Sequence, residues 1–163
     1  MIEREYATNS THAQQTLSVV IDAEAEKVFR YLATTEGISS WFPELSFNED
    51  REVLFDMGDG SFERMAVESI ETNHSISYEW GTGKVTFQLI EHDGKTKLTF
   101  TEGLPFTFET VSQDFAGWDF HMKNIKDVVE TGSVNEMYME DFKMRKAQIE
   151  EEIERNLSNE ASL

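Results

Sequence analysis

Histidine is the residue type with the clearest chemical potential in this chain, which contains His12, His74, His92 and His121. None of them has the spacing of a paired-histidine metal motif, and the sequence has no cysteine to complete a zinc site. His121 follows Trp118 by three residues in a segment of helical periodicity, so it points either toward a cavity or to the flank of a helix. We expect no metal and no cofactor.

Nucleophile and phosphate-binding motifs are also missing from the sequence. The chain has no GxSxG elbow, no GxGxxG loop and no P-loop, and strand patterns rather than helices follow the glycine-rich turns at 58–60 and 81–83. With 32 acidic residues, some carboxylates will be neighbours by chance, so the sequence singles out no acid–base pair. We expect a protein without catalytic activity.

Charge and composition narrow the range of partners. The 14 basic and 32 acidic residues give a formal net charge of −18, which disfavours binding to nucleic-acid phosphates and to anionic membranes. No apolar run approaches the roughly 18 residues of a membrane span, and the first residues lack the features of a signal peptide. The absence of cysteine suits a reducing compartment, so we expect a cytoplasmic protein. Together with the charge and the lack of a long apolar run, this predicts no nucleic-acid partner and no membrane span.

The first third of the sequence predicts one strand and two short helices. Residues 1–15 are polar and form either an edge strand or a loose leader. Residues 16–22 are rich in β-branched side chains and predict a strand. Residues 23–35 have apolar side chains at helical spacing, and 38–42 predict a helical turn that ends at Pro43.

The middle of the chain changes to a period of two, which predicts an antiparallel meander with one apolar face. Its strands run from Val53 to Phe100 and are separated by turns at 58–60, 73–74, 81–83 and 93–94. From Gln113, apolar residues recur at helical spacing until Gly132, so a long amphipathic helix is available to cover the sheet. This order of elements predicts an α+β fold in which a curved antiparallel sheet wraps around the helix.

A second helix is predicted at 135–156, and its exposed face carries the acidic run at 150–154. The opposite face, with Phe142, Ile149 and Ile153, must be buried against the domain or against a second copy. The sequence is therefore compatible with a monomer or a homodimer.

Large side chains on the inward positions of sheet and helix are the candidate ligand-binding residues. They form either a packed core or the wall of a partly open apolar pocket, with methionine supplying adaptable contacts. The buried Tyr78 O–H and Trp80 N–H need polar partners, which a pocket with a few polar groups provides. The candidates are Trp41, Phe42, Phe55, Met65, Tyr78, Trp80, Phe87, Phe100, Trp118, Met122 and Ile125.

Two aromatic segments near this predicted pocket have open interpretations. Trp41-Phe42-Pro43 forms either a plug at the end of the core or the mouth of the cavity. Residues 104–108 (LPFTF) lie between the last strand and the long helix, where they form a lid or extend the strand.

Three stretches resemble the START-like helix-grip (SRPBCC) superfamily, and within it the branch named for activators of the heat-shock protein 90 ATPase. They are 21–29 (IDAEAEKVF) with Trp41-Phe42-Pro43, the meander from Asp59-Gly60 to Leu98-Thr99-Phe100, and Gly117-Trp118 with Ile125 and Gly132. The likeness covers about residues 16–132, and the polar leader 1–15 and the extension 133–163 lie outside it. A domain of this kind resembles only the C-terminal part of the eukaryotic activators, so direct activation of the chaperone does not follow.

The resemblance implies a ligand-binding or chaperone-associated role without a universal catalytic residue. We therefore predict that the protein binds a small hydrophobic or amphipathic molecule between sheet and helix and is not an enzyme. Two alternatives stay open. The first is a stress-related interaction module for chaperones or client proteins, which would expose apolar patches rather than a hollow. The second is a pocket enzyme of the cyclase or hydrolase type, which would show an acid or base with a displaced pKa.

Overall fold

The chain forms eight strands and four helices in a computed structural model that describes the backbone of residues 1–161 and the side chains of residues 1–158. The strands are β1 Glu3–Thr8, β2 His12–Ile21, β3 Leu45–Phe47, β4 Glu52–Asp56, β5 Phe62–Glu71, β6 Ser75–Trp80, β7 Gly83–His92 and β8 Lys95–Pro105. The helices are α1 Ala25–Ala33, α2 Thr35–Ser39, α3 Val111–Thr131 and α4 Met139–Ala161.

All eight strands join one antiparallel sheet in the order β1-β2-β8-β7-β6-β5-β4-β3. The turn between β7 and β8 has positive φ at both Asp93 (52°) and Gly94 (77°), as a two-residue hairpin requires. In β8 every second side chain, from Thr96 to Leu104, is buried. One face of the sheet is therefore buried and mainly apolar, and the other faces solvent. The predicted meander is confirmed.

Helix α3 covers the apolar face of the sheet, as the sequence predicts. Trp118, Met122 and Ile125 are each at most 1% exposed. Gly132 ends the helix in the left-handed conformation, and its N–H donates to the Val128 carbonyl. The predicted α+β helix-grip arrangement is confirmed.

The short helices follow the predicted order with shifted boundaries. Thr34 has extended backbone geometry, so α1 ends at Ala33, two residues before the predicted end. The Thr34 hydroxyl accepts the Gly37 N–H and starts α2 at Thr35, whereas the sequence predicts the turn at 38–42.

The polar N-terminal segment forms a strand hairpin rather than a loose leader. Strand β1 pairs with β2 from Glu3↔Ser18 to Thr8↔Ala13 and forms one edge of the sheet. Strand pairing satisfies backbone hydrogen bonds whatever the side chains are. A polar segment can therefore form a strand that the pattern of apolar residues does not predict.

Helix α4 packs against the domain itself, so its apolar face needs no second copy. Ile149 is buried with Leu104 and Phe115 in a second core cluster, and Phe142 and Ile153 pack at its border. Contacts from Phe120 to Phe142 and from Ser112 to Glu150 run in opposite senses along the two helices, so α4 is antiparallel to α3. The connection at 132–138 makes this reversal, which delays the start of α4 from the predicted 135 to Met139.

Candidate functional site

A cleft of about 480 Å³ opens between strands β4 to β6 and the N-terminal half of α3. Its walls are mainly aromatic rings and methionines, with a few polar side chains between them. We call it the aromatic cleft. The lining residues are Phe42, Phe55, Met57, Glu63, Met65, Trp80, Gly81, Phe108, Thr110, Gln113, Asp114, Gly117, Trp118, His121 and Phe142.

A larger groove of about 640 Å³ lies between β1 and α4, but its chemistry is different. Charged side chains, among them Glu5, Glu151 and Glu152, form much of its wall. Its two arginines, Arg4 and Arg145, both contact Asp119, with the shortest N–O distance at 2.6 Å. Because its cations are already paired, we consider the aromatic cleft the better binding site.

The structure divides the eleven sequence-predicted ligand-binding residues between the cleft wall and the packed core. Five of them line the aromatic cleft: Phe42, Phe55, Met65, Trp80 and Trp118. Six lie in the core and do not line the cleft: Trp41, Tyr78, Phe87, Phe100, Met122 and Ile125.

Trp118 is the residue that joins the two groups. On the core side its ring lies 4.7 Å from Phe100 and 6.0 Å from Phe87, measured between ring centroids. On the cleft side it meets the Trp80 ring edge-on at 4.9 Å. Contacts of this kind fill the interior below Trp118, so the open volume begins above it.

The two aromatic segments with open interpretations each contribute one residue to the cleft. Trp41 is buried, and its indole N–H donates to the Tyr31 carbonyl at 2.8 Å, so it plugs the core. Its neighbour Phe42 lines the cleft. Strand β8 extends to Pro105, and beyond it Phe108 also lines the cleft, next to the turn at Gly81.

A row of buried side chains, three of which carry polar groups, crosses the sheet behind the cleft. Gln15 on β2 pairs with Glu102 on β8, which pairs with Val85 on β7, which in turn pairs with Tyr78 on β6. The Gln15 amide donates to the Phe115 carbonyl at 3.1 Å and, at 3.4 Å, to Glu102 Oε1. The Tyr78 hydroxyl has no hydrogen-bond partner among the described residues. Burying polar groups with incomplete hydrogen bonding costs free energy, so this row lowers the stability of the core.

Asp114 connects this row to the cleft. It stands one helical turn before Trp118, and both of its carboxylate oxygens accept the Trp80 indole N–H, at 2.9 and 3.0 Å. Behind it, Glu102 is 0% exposed and interacts with the Asp114 carboxyl. None of the described groups donates to Glu102 Oε2. A proton on that oxygen, donated to Asp114, gives both carboxyl groups a hydrogen bond.

Burial raises the pKa values of both carboxyl groups, and Glu102 becomes the weaker acid of the two. Burial raises the pKa of Glu102 well above its ordinary value, and the charge of Asp114 adds to the effect. Burial also raises the pKa of Asp114 to about 6, against the opposing hydrogen bonds from Trp80 and Glu102. At neutral pH, Glu102 therefore holds the proton and Asp114, which faces the cleft, holds the negative charge.

His121 lines the cleft as a neutral aromatic wall. Its ring stacks on Phe42 at 4.0 Å between centroids and lies 5.4 Å from the Trp118 ring. Burial lowers its pKa to about 4, although a hydrogen bond to the Trp41 carbonyl opposes the shift. Its Nδ1 has no partner among the described residues. Of the two positions that the sequence leaves open for His121, the structure shows the one toward the cavity.

Glu102 and Asp114 are not among the residues predicted from the sequence, although the sequence contains signals for both. Glu102 continues the buried alternation of Leu98, Phe100 and Leu104 in β8. Asp114 lies four residues before Trp118 and so shares its helix face. An acidic residue in phase with a core pattern is a better indicator of a buried carboxylate than the number of acidic residues in the chain.

The described residues contain neither a metal-ligand cluster nor a membrane-spanning helix. No group of three or more histidine, aspartate or glutamate side chains among them could hold a metal ion. In the same part of the chain, no helix combines the length and apolarity needed to cross a membrane.

Comparison with solved structures finds the same fold in several proteins. A conserved protein of unknown function from Enterococcus faecalis is 25% identical, with a TM-score of 0.87 over 94% of this chain and 92% of its own. CalU16 from Micromonospora echinospora is 13% identical, with a TM-score of 0.73 over 93% of this chain and 98% of its own. The Aha1 dimer from Colwellia psychrerythraea is 20% identical, with a TM-score of 0.61 over 73% of this chain and 97% of its own.

Comparison of the sequence itself gives a family. No curated protein matches the chain. The family model described as "Activator of Hsp90 ATPase homolog 1-like protein" matches residues 22–130, which run from the end of β2 almost to the end of α3. Because this match spans well over half of the chain, the protein belongs to the family of activator of Hsp90 ATPase homolog 1-like proteins, within the START-like helix-grip superfamily.

Proposed function

We propose that this protein binds a small apolar or amphipathic molecule in the aromatic cleft and performs no chemistry on it. The observation that carries the proposal is the cleft itself, with about 480 Å³ of open volume above a fully packed core. Its size and its apolar wall with a few polar groups are typical of small-molecule sites. Membership of a family whose fold is consistent with ligand binding supports the same conclusion.

The cleft contains its own optical reporters. Of the three tryptophans in the chain, Trp80 and Trp118 line the cleft, while Trp41 is buried below it. A molecule bound in the cleft lies beside these lining indoles. Its binding should therefore change tryptophan fluorescence as well as thermal stability.

Gly117 offers a way to close the cleft without disturbing the core. It lies on α3 in the cleft wall, and a Cβ atom added there would meet no atom within 4 Å. Its φ lies in the ordinary range, so a side chain causes no backbone strain. Replacing a glycine inside a helix by alanine stabilises the helix by roughly 0.8–1.0 kcal/mol. The Gly117→Leu and Gly117→Ala variants should both fold, and only the larger side chain should occupy the cleft.

The first prediction concerns ligand binding by these variants. A thermal-shift and fluorescence screen of fatty acids, alkylamines, sterols, flavonoids and isoprenoids should find molecules that raise the melting temperature of the native protein. A ligand at a hundredfold excess over Kd stabilises by about 2.7 kcal/mol. Gly117→Ala should retain the response and Gly117→Leu should lose it. A response that survives in Gly117→Leu places binding elsewhere, and the lack of any hit contradicts the proposal.

A second candidate function follows from the carboxyl pair. Asp114, with a pKa of about 6, and the protonated Glu102 behind it resemble an acid–base arrangement beside a pocket. This observation favours the alternative of a pocket enzyme. Mass spectrometry of the screened molecules after prolonged incubation separates the candidates, because a binding protein returns its ligand unchanged. The chaperone-associated role implied by the family name stays a prediction.

A further inference from the structure

The charged side chains of the aromatic cleft all have the same sign. Two carboxyl groups, Glu63 and Asp114, line it, and of the described lining residues none is a lysine or an arginine. His121 stays neutral because burial lowers its pKa to about 4. The chain as a whole carries a formal charge of −18, so the surrounding field has the same sign.

Hydrogen bonds fix the position of the Asp114 carboxylate, but they compensate for only part of its negative charge. Trp80 donates a single N–H to its two oxygens, and Glu102 shares its proton from behind. A carboxylate offers about four lone-pair positions, so acceptor capacity remains on the side toward the cleft. Burial raises the pKa of Asp114, and the hydrogen bonds from Trp80 and Glu102 only partly oppose this shift.

The aromatic rings that line the cleft with Asp114 add a second kind of attraction for positive charge. Trp80 meets Phe42 at 5.8 Å, Phe55 at 6.0 Å and Trp118 at 4.9 Å, all as edge contacts. Phe108 and Phe142 complete the aromatic wall. Ring faces attract ammonium groups within about 6 Å, and tryptophan does so most strongly. Aromatic rings beside a carboxylate are a combination that suits a cation with an apolar body.

We propose that the ligand of the aromatic cleft is a cationic amphiphile, an amine or quaternary ammonium whose charged group lies against Asp114 and whose apolar part lies among the rings. The inference rests on the proposed function and specifies the class of ligand. It excludes fatty acids and other anions as preferred ligands, since Glu63 and Asp114 repel them and no described residue of the wall offsets that repulsion.

The test uses three probes with the same chain and different head groups: decyltrimethylammonium, decanol and decanoate, each below its micelle concentration. Tryptophan fluorescence titration of the full chain at pH 8 should give an affinity for the cation at least about tenfold above that for the alcohol, and a weaker one for the carboxylate. If decanol or decanoate binds as well as the cation, the inference is overturned and the proposed function survives. If none of the three and no molecule of the wider screen binds, the proposed function fails.

Two Asp→Asn variants distinguish the effect of the Asp114 charge on cation binding from the effect of the overall negative charge of the protein. In Asp114→Asn the charge is lost while the side-chain oxygen still accepts the Trp80 N–H, so the preference for the cation over decanol should fall below about threefold. Asp93→Asn is the matched control, because it removes one charge from the distant β7–β8 turn, where the side chain is 87% exposed and asparagine tolerates the positive φ. Equal losses in both variants would overturn the inference. If Asp114→Asn folds poorly, the comparison of the three probes on the native protein still tests the inference.

A pH titration gives a further readout. Glu102 on β8 interacts with Asp114, and the other titratable groups that line the same cleft are Glu63 on β5 and His121 on α3, while α4 contributes the uncharged Phe142. As the pH falls below 6, Asp114 takes up a proton, so the cation preference of the native protein should decline there. Asp114→Asn should show no decline in that interval. A preference that stays constant from pH 8 to 5 would contradict the assignment to Asp114.

Discussion

At the scale of single residues, Glu102 decides the electrostatics of the site. It is 0% exposed, and its Oε2 has a partner only when it carries a proton. A buried acid whose folded pKa is raised binds more protons in the folded state than in the unfolded state. The contribution of such a group to stability is therefore greatest at low pH and is lost as the pH rises above its unfolded value, 4.5 for glutamate.

The prediction at this scale concerns Glu102→Gln. The amide keeps an N–H for Asp114 and an oxygen for Gln15, and it removes the group that must stay protonated. We expect the free energy of unfolding at pH 8 to be unchanged or higher. Its decrease between pH 5 and 8 should be smaller than in the native protein. Urea denaturation at several pH values measures both quantities.

The control for this prediction is Glu79→Gln, an exposed residue of the same sheet. Glu79→Gln should leave the pH dependence of the free energy of unfolding unchanged. His121 acts in the opposite direction, since its lowered pKa makes the folded state less stable as the pH falls below 6.5. Its contribution is the same in both proteins and cancels in their difference. A Glu102→Gln variant with the steep pH dependence of the native protein would show that Glu102 is not the proton carrier.

The sequence allowed the rings of the site to be predicted, but not their division between core and cleft. Alternation in the strands and helical spacing in α3 identify the inward residues, because burial imposes those periods. Phe55 and Phe87 both follow the inward alternation, yet only Phe55 borders open volume. That difference depends on the curvature of the sheet and on the distance to α3, which no local pattern contains.

At the scale of elements, the position of α4 is the feature that the sequence left undecided. Its apolar face joins the second core cluster through Ile149, which is 1% exposed. Polar contacts support the same docking: Arg145 of α4 approaches Asp119 of α3 at 3.8 Å, and the Asn156 side chain donates to the Tyr6 carbonyl of β1 at 3.2 Å. The amphipathic pattern indicates that a face must be buried, but it does not identify the surface that covers it.

The prediction at this scale is that α4 is an integral part of the fold. Ile149→Ala should lower the free energy of unfolding by about 2–4 kcal/mol, because it leaves a cavity in a buried cluster. Met144→Ala, on the same helix but 60% exposed, should change it by less than about 0.5 kcal/mol. Denaturant unfolding followed by circular dichroism compares the two. Equal and small effects would mean that α4 contributes little to the stability of the domain.

At the scale of the whole molecule, the formal charge of −18 opposes the compact state. Ion pairs such as Lys84–Glu68 and Lys126–Glu130, both at 2.7 Å, offset part of the repulsion. Exposed or partly exposed pairs of this kind typically contribute between 0 and about 1 kcal/mol each. The unpaired negative charges outnumber them, so the repulsion should dominate the response to salt.

The last prediction follows from this balance. Raising NaCl from 10 to 150 mM at pH 7.5 shortens the screening length from about 30 Å to about 8 Å. We expect the melting temperature to rise, since long-range repulsion is screened more completely than contacts between paired groups. At pH 5, close to the isoelectric point of about 4.5, the same addition should have little effect. Differential scanning calorimetry at both pH values, with sucrose as an uncharged control, makes the comparison. A melting temperature that falls with salt at pH 7.5 would mean that the ion pairs outweigh the repulsion among the excess carboxylates.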